Sequence, residues 1–278
     1  MQLFDKTAYK ISKIVTENYS TSFSAATGLL GKNHREAIYS IYGFVRFADE
    51  IVDTFHSWNK ELLLEKFEQD LKQALETGIS LNPVLHSFQL TVTKFKIPYE
   101  YIGAFLNSMK SDLNKTVYDK KSEADNYIYG SADVVGLMCL CVFCDGSREK
   151  FEALKEPAMK LGSAFQKVNF LRDLHNDVKL LGRVYFPQMK AETFNETAKH
   201  QIIEDIKLDF MEAKEGIKKL PENSRLAVYV AYLYYMNLLK KLEKTDAGKI
   251  ISSRIRISDF KKLLILLKAR ILYKLNLI

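Results

Sequence analysis

Little in this sequence would interrupt a helix. Only five prolines and twelve glycines punctuate its 278 residues, and the intervals between them carry apolar residues at helical rather than alternating spacing. No Pro/Ser-rich linker and no internal repeat divides the chain, so a single domain spanning 1–278 is expected. Cysteine is scarce too: Cys139, Cys141 and Cys144 sit together in the apolar stretch GLMCLCVFC. A structural zinc site needs a fourth ligand in tetrahedral geometry, and neither His nor a further Cys stands near in sequence. The expectation is free thiols buried on a helix, as suits a reducing compartment. The opening residues, MQLFDKTAYKISKIV, lack a charged segment followed by an apolar run of signal-peptide length. A cytoplasmic location is therefore expected.

Acidic residues are missing mainly from one place, the end of the chain. The formal net charge is +7, and from Lys249 onward Lys249, Arg254, Arg256, Lys261, Lys262, Lys268, Arg270 and Lys274 face only Asp259. Leucines and isoleucines between residues 263 and 275 alternate with these cations, the pattern of a basic amphipathic helix. Two readings stay open for it: a last bundle helix with a solvated face, and a peripheral contact with an inner membrane surface. Its longest apolar run is five residues, against about twenty needed to span a bilayer. With the charge confined to this stretch, no nucleic-acid partner is expected.

What is present is helical periodicity throughout, and the fold expected is an all-α bundle. The spacing predicts helices over Thr7–Tyr19, Arg35–Phe55, Lys60–Glu76, Pro83–Thr93, Tyr99–Asn114, Glu123–Cys144, Lys150–Lys179, Thr197–Lys219, Arg225–Leu242 and Asp259–Leu275.

Two of these helices carry polar lines beside apolar ones. In YSIYGFVRFADEIVDTF, residues three or four apart place Tyr42, Arg46, Asp49 and Asp53 on one line, next to the apolar face of Ile38, Ile41, Val45, Ala48 and Val52. Like charges at i and i+4 destabilise a bare helix by about 0.2–0.5 kcal/mol, and desolvation adds to that cost. A cation should offset it, and magnesium, a hard ion that takes one or two carboxylates plus phosphate oxygens, is suited to do so. In LGSAFQKVNFLRDLHNDV, Gln166, Asn169, Asp173 and Asp177 form a second line flanked by Phe165, Val168, Leu171 and Leu174. A solvated face would carry Lys and Glu rather than this series, so it reads as an inward-facing seam. The neighbouring Arg172 suits either an acid or a phosphate. One such acid pair alone is usually a charged surface face. Two on facing helices of a bundle can hold a cluster of magnesium ions with a diphosphate and stabilise its charge as it departs.

These residues resemble the squalene/phytoene synthase family, which includes the dehydrosqualene synthases. The resemblance covers nearly the whole chain. It runs through NYSTSFS (Asn18 to Ser24), YGFVRFADEIVD, YIYGSADVVG (Tyr127 to Gly136), FQKVNFLRDLHNDVKLLGRVYFP, YLYYMNLL and SRIRISDFKK. The fourth is the most specific, with Gln166, Asn169, Arg172, Asp173, Asp177, Arg183, Tyr185 and Pro187 all at typed positions. It implies an isoprenoid-synthase bundle around a central cavity, and a prenyltransferase that joins two prenyl diphosphates head to head through a cyclopropylcarbinyl diphosphate. On the same ground Asp49, Asp53, Asp173 and Asp177 would bind magnesium, with manganese as an admissible substitute, and Asn169 would join them. Arg46 and Arg172 would meet the diphosphates, and Ser22, Gln166, Asn169, Arg183 and Tyr185 would add substrate or metal contacts. Tyr127, Tyr129 and Tyr234 would line the cavity, where a phenol steadies a carbocation or helps manage a proton. Each has an equally ordinary role as a core aromatic. Three positions depart from the family pattern: Glu50 in place of an aspartate, Asn176 in place of a glutamate, and Asp133 in place of a glycine.

Among the reactions in reach, two geranylgeranyl diphosphates giving phytoene is favoured, in carotenoid biosynthesis. No Gly-rich dinucleotide turn is present and NADPH is not expected. Squalene or dehydrosqualene formation from farnesyl diphosphate, a head-to-tail synthase or cyclase, and a non-catalytic relative acting in assembly remain the alternatives. A monomer or weak homo-oligomer is expected.

Overall fold

The computed structural model describes residues 1–179, 182–189 and 194–275. They form α1 (Gln2–Tyr19), α2 (Thr21–Thr27), α3 (Lys32–Asp53), α4 (Lys60–Thr77), α5 (Pro83–Phe95), α6 (Tyr99–Asn114), α7 (Lys121–Ile128), α8 (Val134–Phe143), α9 (Arg148–Lys179), α10 (Glu196–Lys219), α11 (Glu222–Glu243), α12 (Ala247–Ser252) and α13 (Asp259–Lys274). Among the described residues the only extended pairing is an isolated parallel bridge between Val117 and Val184. The all-α expectation holds.

Helix boundaries follow local chemistry. Asn82 caps α5 through its side-chain oxygen and Pro83 opens that helix, while Asn59, Asn195 and Ser258 cap α4, α10 and α13 in the same way. Gly78 ends α4 at φ 75°, a left-handed conformation that glycine adopts without penalty. Two short helices, α2 and α12, escape the periodicity because six or seven residues make too few turns to show it. Ser20, with an extended backbone, both ends α1 and caps α2, so one residue turns the chain between them.

The core runs through the bundle. Phe44 of α3 lies fully buried, stacked on Phe88 of α5 at 4.1 Å and tilted against Phe105 of α6 at 5.4 Å. Stretch 121–143 is long and apolar enough to cross a membrane by length and composition, but 61% of its window is buried inside the bundle. It serves as an interior wall.

That wall is not the uninterrupted helix expected over Glu123–Cys144. A π-helical turn, Tyr129–Asp133, joins α7 to α8. Such turns insert a residue and re-aim the side chains on either side, and they concentrate at functional sites. Two glycines accommodate it. A Cβ on Gly130 would come within 2.8 Å of Ser108 in α6, and one on Gly162 within 2.8 Å of the Ala132 carbonyl, so α6 and α9 both press directly on the turn.

The turn also settles where Asp133 goes. Its carboxyl is buried, accepts a 2.7 Å hydrogen bond from Ser163 Oγ, and lies near a buried ion network in which Lys167 pairs with Asp209 at 2.6 Å and Lys160 with Asp209 at 3.2 Å. Burial pushes its pKa up to about 7, the Ser163 bond lowering it only in part. The folded chain thus holds this proton to a higher pH than an unfolded chain, where the usual value is 3.8. The stability it contributes is complete below that value and is lost as pH rises toward about 7. Asp133→Asn keeps the acceptor and removes the titration. In thermal melts it is expected to lose less stability than the parent between pH 5 and pH 8; an unchanged difference would count against this assignment.

Candidate active site

An apolar cavity of about 280 Å³ opens between α2, α3, the π turn, α8, α9, α10 and α11. Its wall along α9 extends from Leu154 to Asn169, about 22 Å of helix. Leu30, Leu140, Phe143 and Leu154 are among its apolar lining, whereas Tyr42, Gln166, Asn169 and Tyr235 contribute polar atoms. Cys139 lines it as well, while Cys141 and Cys144 are buried free thiols.

On α3 the lining residues Ile38, Ile41, Tyr42 and Val45 are followed one and two turns later by Asp49 and Asp53. On α9 the lining ends at Gln166 and Asn169, and Asp173 and Asp177 follow on the same face. Both acid pairs therefore stand beyond the cavity toward the C-terminal ends of their helices. There the helix dipole is negative. Four carboxylates at two such ends make a strongly electronegative mouth.

The titration behaviour records the crowding. Burial and then repulsion from Asp53 push Asp49 upward, although a third of its side chain still meets solvent. Burial, then Asp173, then Asp53 on the facing helix push Asp177 up to about 7. Arg183 links the two pairs directly, its guanidinium on Asp53 and its backbone N–H on the Asp177 carbonyl at 2.8 Å.

Arginines answer this charge. Arg46 pairs with Asp49 and Glu50 and lies 4.4 Å over the Tyr19 ring. Arg172 pairs with its neighbour Asp173, and Arg254 reaches the same carboxylate at 2.6 Å. Arg183 is buried and donates to Asp53 at 2.6 Å and to the Asp112 carbonyl at 3.2 Å. The bridge at Val184 holds it there: Val184 donates to the Thr116 carbonyl at 2.7 Å and Tyr118 donates back at 3.0 Å, tying the chain after α9 to the end of α6. Glu50 keeps a carboxylate on Arg46, so that departure from the family pattern retains its charge.

None of the three tyrosines expected to line the cavity does so. Tyr127 is buried, donates to Asp112 Oδ2 at 2.7 Å and stacks with Tyr185 at 5.2 Å, which itself stacks on Phe170 at 3.9 Å. Tyr129, two residues on, points the other way and is 38% exposed, as spacing of two on a helix requires. Tyr234 does not line the cavity; it is buried elsewhere, and its neighbour Tyr235 takes the place, stacked on Phe165 at 3.9 Å and donating to Asn169 Oδ1 at 3.3 Å. Adjacent tyrosines differ by about 100° around a helix, and the sequence did not fix which one faces inward. Ser22, on α2 two residues from the capping Ser20, is half-buried and outside the cavity lining.

Sequence reasoning also missed Arg254 and Asp112. Arg254 lies in the basic segment SRIRISDFKK and could have been found from it. Asp112, near the end of α6, belongs to no acidic pattern, yet burial pushes its pKa up to about 7 and its Oδ1 has no partner.

Among the described residues no three His, Cys, Asp or Glu side chains converge on one metal position. The donor set nevertheless suits a hard divalent ion, being all carboxylate oxygen. Magnesium is usually held by one or two carboxylates and completed by waters and phosphate oxygens, so it needs no preformed cage. Arg46 Nε and Asp112 Oδ1 are both buried without a partner, unused polar capacity at this end of the cavity.

Tyr127→Phe tests the packing of this end. Losing the hydroxyl leaves a buried acceptor on Asp112, which costs about 1–3 kcal/mol. Urea unfolding should show a loss in that range, and unchanged stability would mean that the bond carries nothing.

Comparison with known proteins now adds to this geometry. Residues 16–261 match the family model described as squalene/phytoene synthase. The chain is 29% identical to phytoene synthase 1, chloroplastic, of Zea mays, over 94% of its own length and 67% of that protein. It is 27% identical to phytoene synthase of Arthrospira platensis, over 95% and 94%. A dehydrosqualene synthase crystal structure superposes with a TM-score of 0.82 at 20% identity, covering 97% of this chain and 98% of the other. A squalene synthase from Alicyclobacillus acidocaldarius does so with 0.75 at 19%, covering 86% and 94%. With its matching motifs, bundle and facing acid pairs, the chain belongs to the squalene/phytoene synthase family, a family of prenyltransferases.

Proposed function

We propose that this protein condenses two geranylgeranyl diphosphates head to head into phytoene, with magnesium as cofactor and without NADPH. The observation that carries the reading is the pairing of an apolar cavity with four carboxylates and four arginines at one end. The relatives from Zea mays and Arthrospira platensis, both named phytoene synthases, support the product.

In this reading Asp49, Asp53, Asp173 and Asp177 hold magnesium, which supplies positive charge to the departing diphosphate. Arg46, Arg172, Arg183 and Arg254 keep the acids in place and stand ready to shift onto phosphate oxygens, which match their planar forks. The prenyl chains lie in the apolar cavity, out of water. The first allylic C–O bond breaks, the other substrate's double bond attacks, and loss of a proton gives a cyclopropylcarbinyl diphosphate. Its own diphosphate then leaves, the carbon skeleton rearranges, and a second proton is lost to give the linear product. The Tyr42, Tyr235 and Phe165 rings flank the polar end of the cavity, where a ring face steadies a nearby cation. Burial pushes the Tyr42 phenol up to about 12, so it stays protonated. The released diphosphate is then the better base for the two protons that are lost.

The test of product is incubation with geranylgeranyl or farnesyl diphosphate and magnesium, with and without NADPH. Phytoene formed without nicotinamide is expected; a preference for farnesyl diphosphate, or a product that needs NADPH, would overturn the assignment. Asp49→Asn and Asp173→Asn should each lower kcat by at least about 10²-fold, with far-UV circular dichroism unchanged. Near-normal turnover in either would sink the metal-binding role.

A further inference from the structure

Helix α13 turns one face to the protein and leaves the other unpartnered. Ile265 and Ala269 are buried, Leu266 and Leu272 pack on the core, Tyr273 donates to the Glu222 carbonyl at 3.1 Å, and Lys262 donates to Thr21 Oγ1 at 2.8 Å. These contacts fix the helix against the start of α11 and against α2. On the far side Phe260, Leu264, Leu267 and Ile271 fall within about 60° of one another around the axis. All are open to solvent, Phe260 at 72% and Ile271 at 59%. Exposed Lys261 and Lys268 border this stripe on one edge and exposed Arg270 on the other, and Asp259 at the first turn is the one acid in the helix.

A folded protein rarely leaves so continuous an apolar stripe in water unless something covers it. We propose that α13 lies in the headgroup region of an anionic lipid bilayer, its apolar stripe in the acyl boundary and its cations on lipid phosphates. Charge decides between occupants. A second copy docked on the same face would bring two sets of Lys and Arg together with almost no acid to pair them. Anionic headgroups supply the missing charge along both edges, which is the design of an interfacial amphipathic helix. The position matters as well, since α2 and α11, against which α13 rests, both line the cavity through Phe23, Ala26, Ala227 and Ala231. A docked α13 would set that cavity one helix layer from the lipid. Any passage of apolar product into the bilayer rests on the proposed function; the docking itself does not.

The experiment is co-sedimentation of the full chain with phosphatidylcholine vesicles, with and without phosphatidylglycerol. Binding is expected only with the anionic lipid, and it should weaken as salt is raised, by about fivefold for each of Lys261, Lys268 and Arg270 replaced by Gln. Leu267→Gln with Ile271→Gln should lower partitioning by about tenfold or more, with thermal melting unchanged because both side chains are exposed. Failure to bind anionic vesicles at low salt would overturn the proposal, as would binding that ignores both sets of substitutions. Concentration-dependent dimerisation abolished by the Leu267/Ile271 pair would assign the face to a second copy instead. None of these readouts depends on turnover.

Discussion

Four carboxylates gathered where two helix dipoles are both negative would repel one another and the carbonyls behind them. Much of the surrounding structure is arranged around that repulsion. Arg46, Arg172 and Arg254 approach from the bundle, and Arg183 comes from the chain after α9, held in place by the bridge between Val117 and Val184. Even so, Asp49 and Asp177 remain harder to ionise than ordinary carboxylates. The site therefore carries an unmet demand for positive charge, which a divalent ion arriving with a diphosphate would satisfy. Its arginines hold the acids here, and in the proposed reaction they would turn to the phosphates.

The second constraint is the need to keep this charged mouth continuous with an apolar chamber. Along α3 and α9 a single helix face changes from aliphatic to amide and phenol to carboxylate within a few turns, so each helix spans both environments without a break. The π turn adjusts the opposite wall. It places Ser131 and Ala132 on the cavity and sends Asp133 onto Ser163, near the separate Lys167 and Asp209 pair. A residue that departs from the family pattern is thereby given a local partner set.

Much of this was legible in sequence because it rests on spacing. The steps of three and four from Tyr42 to Asp53 and from Gln166 to Asp177 are a property of helix geometry, and periodicity gave Tyr99–Asn114 as it stands and Lys60–Glu76 one residue short of the helix that forms. What was not legible depends on rotation or on contacts distant in sequence. Tyr234 and Tyr235 are equally aromatic, and only the packing of α11 decides that Tyr235 faces the cavity. Tyr129 shares no helix face with Tyr127, a point that motif matching overlooks. Asp112 becomes part of the mouth only because Arg183 arrives from 71 residues away. The π turn has no periodic signature, since Gly130 and Gly162 report close approach only once their neighbours are known.

The central claim is that the facing acid pairs exist to bind a divalent cation and a diphosphate together, each making room for the other. Calorimetric titration with inorganic pyrophosphate, in the presence of magnesium and again in excess chelator, tests it most directly. The account predicts that pyrophosphate binds at least about tenfold more tightly when magnesium is present, and that magnesium binds more tightly by the same factor when pyrophosphate is present, as linkage requires. Pyrophosphate binding of equal strength with and without the metal would contradict it, for the arginines alone would then be holding the anion.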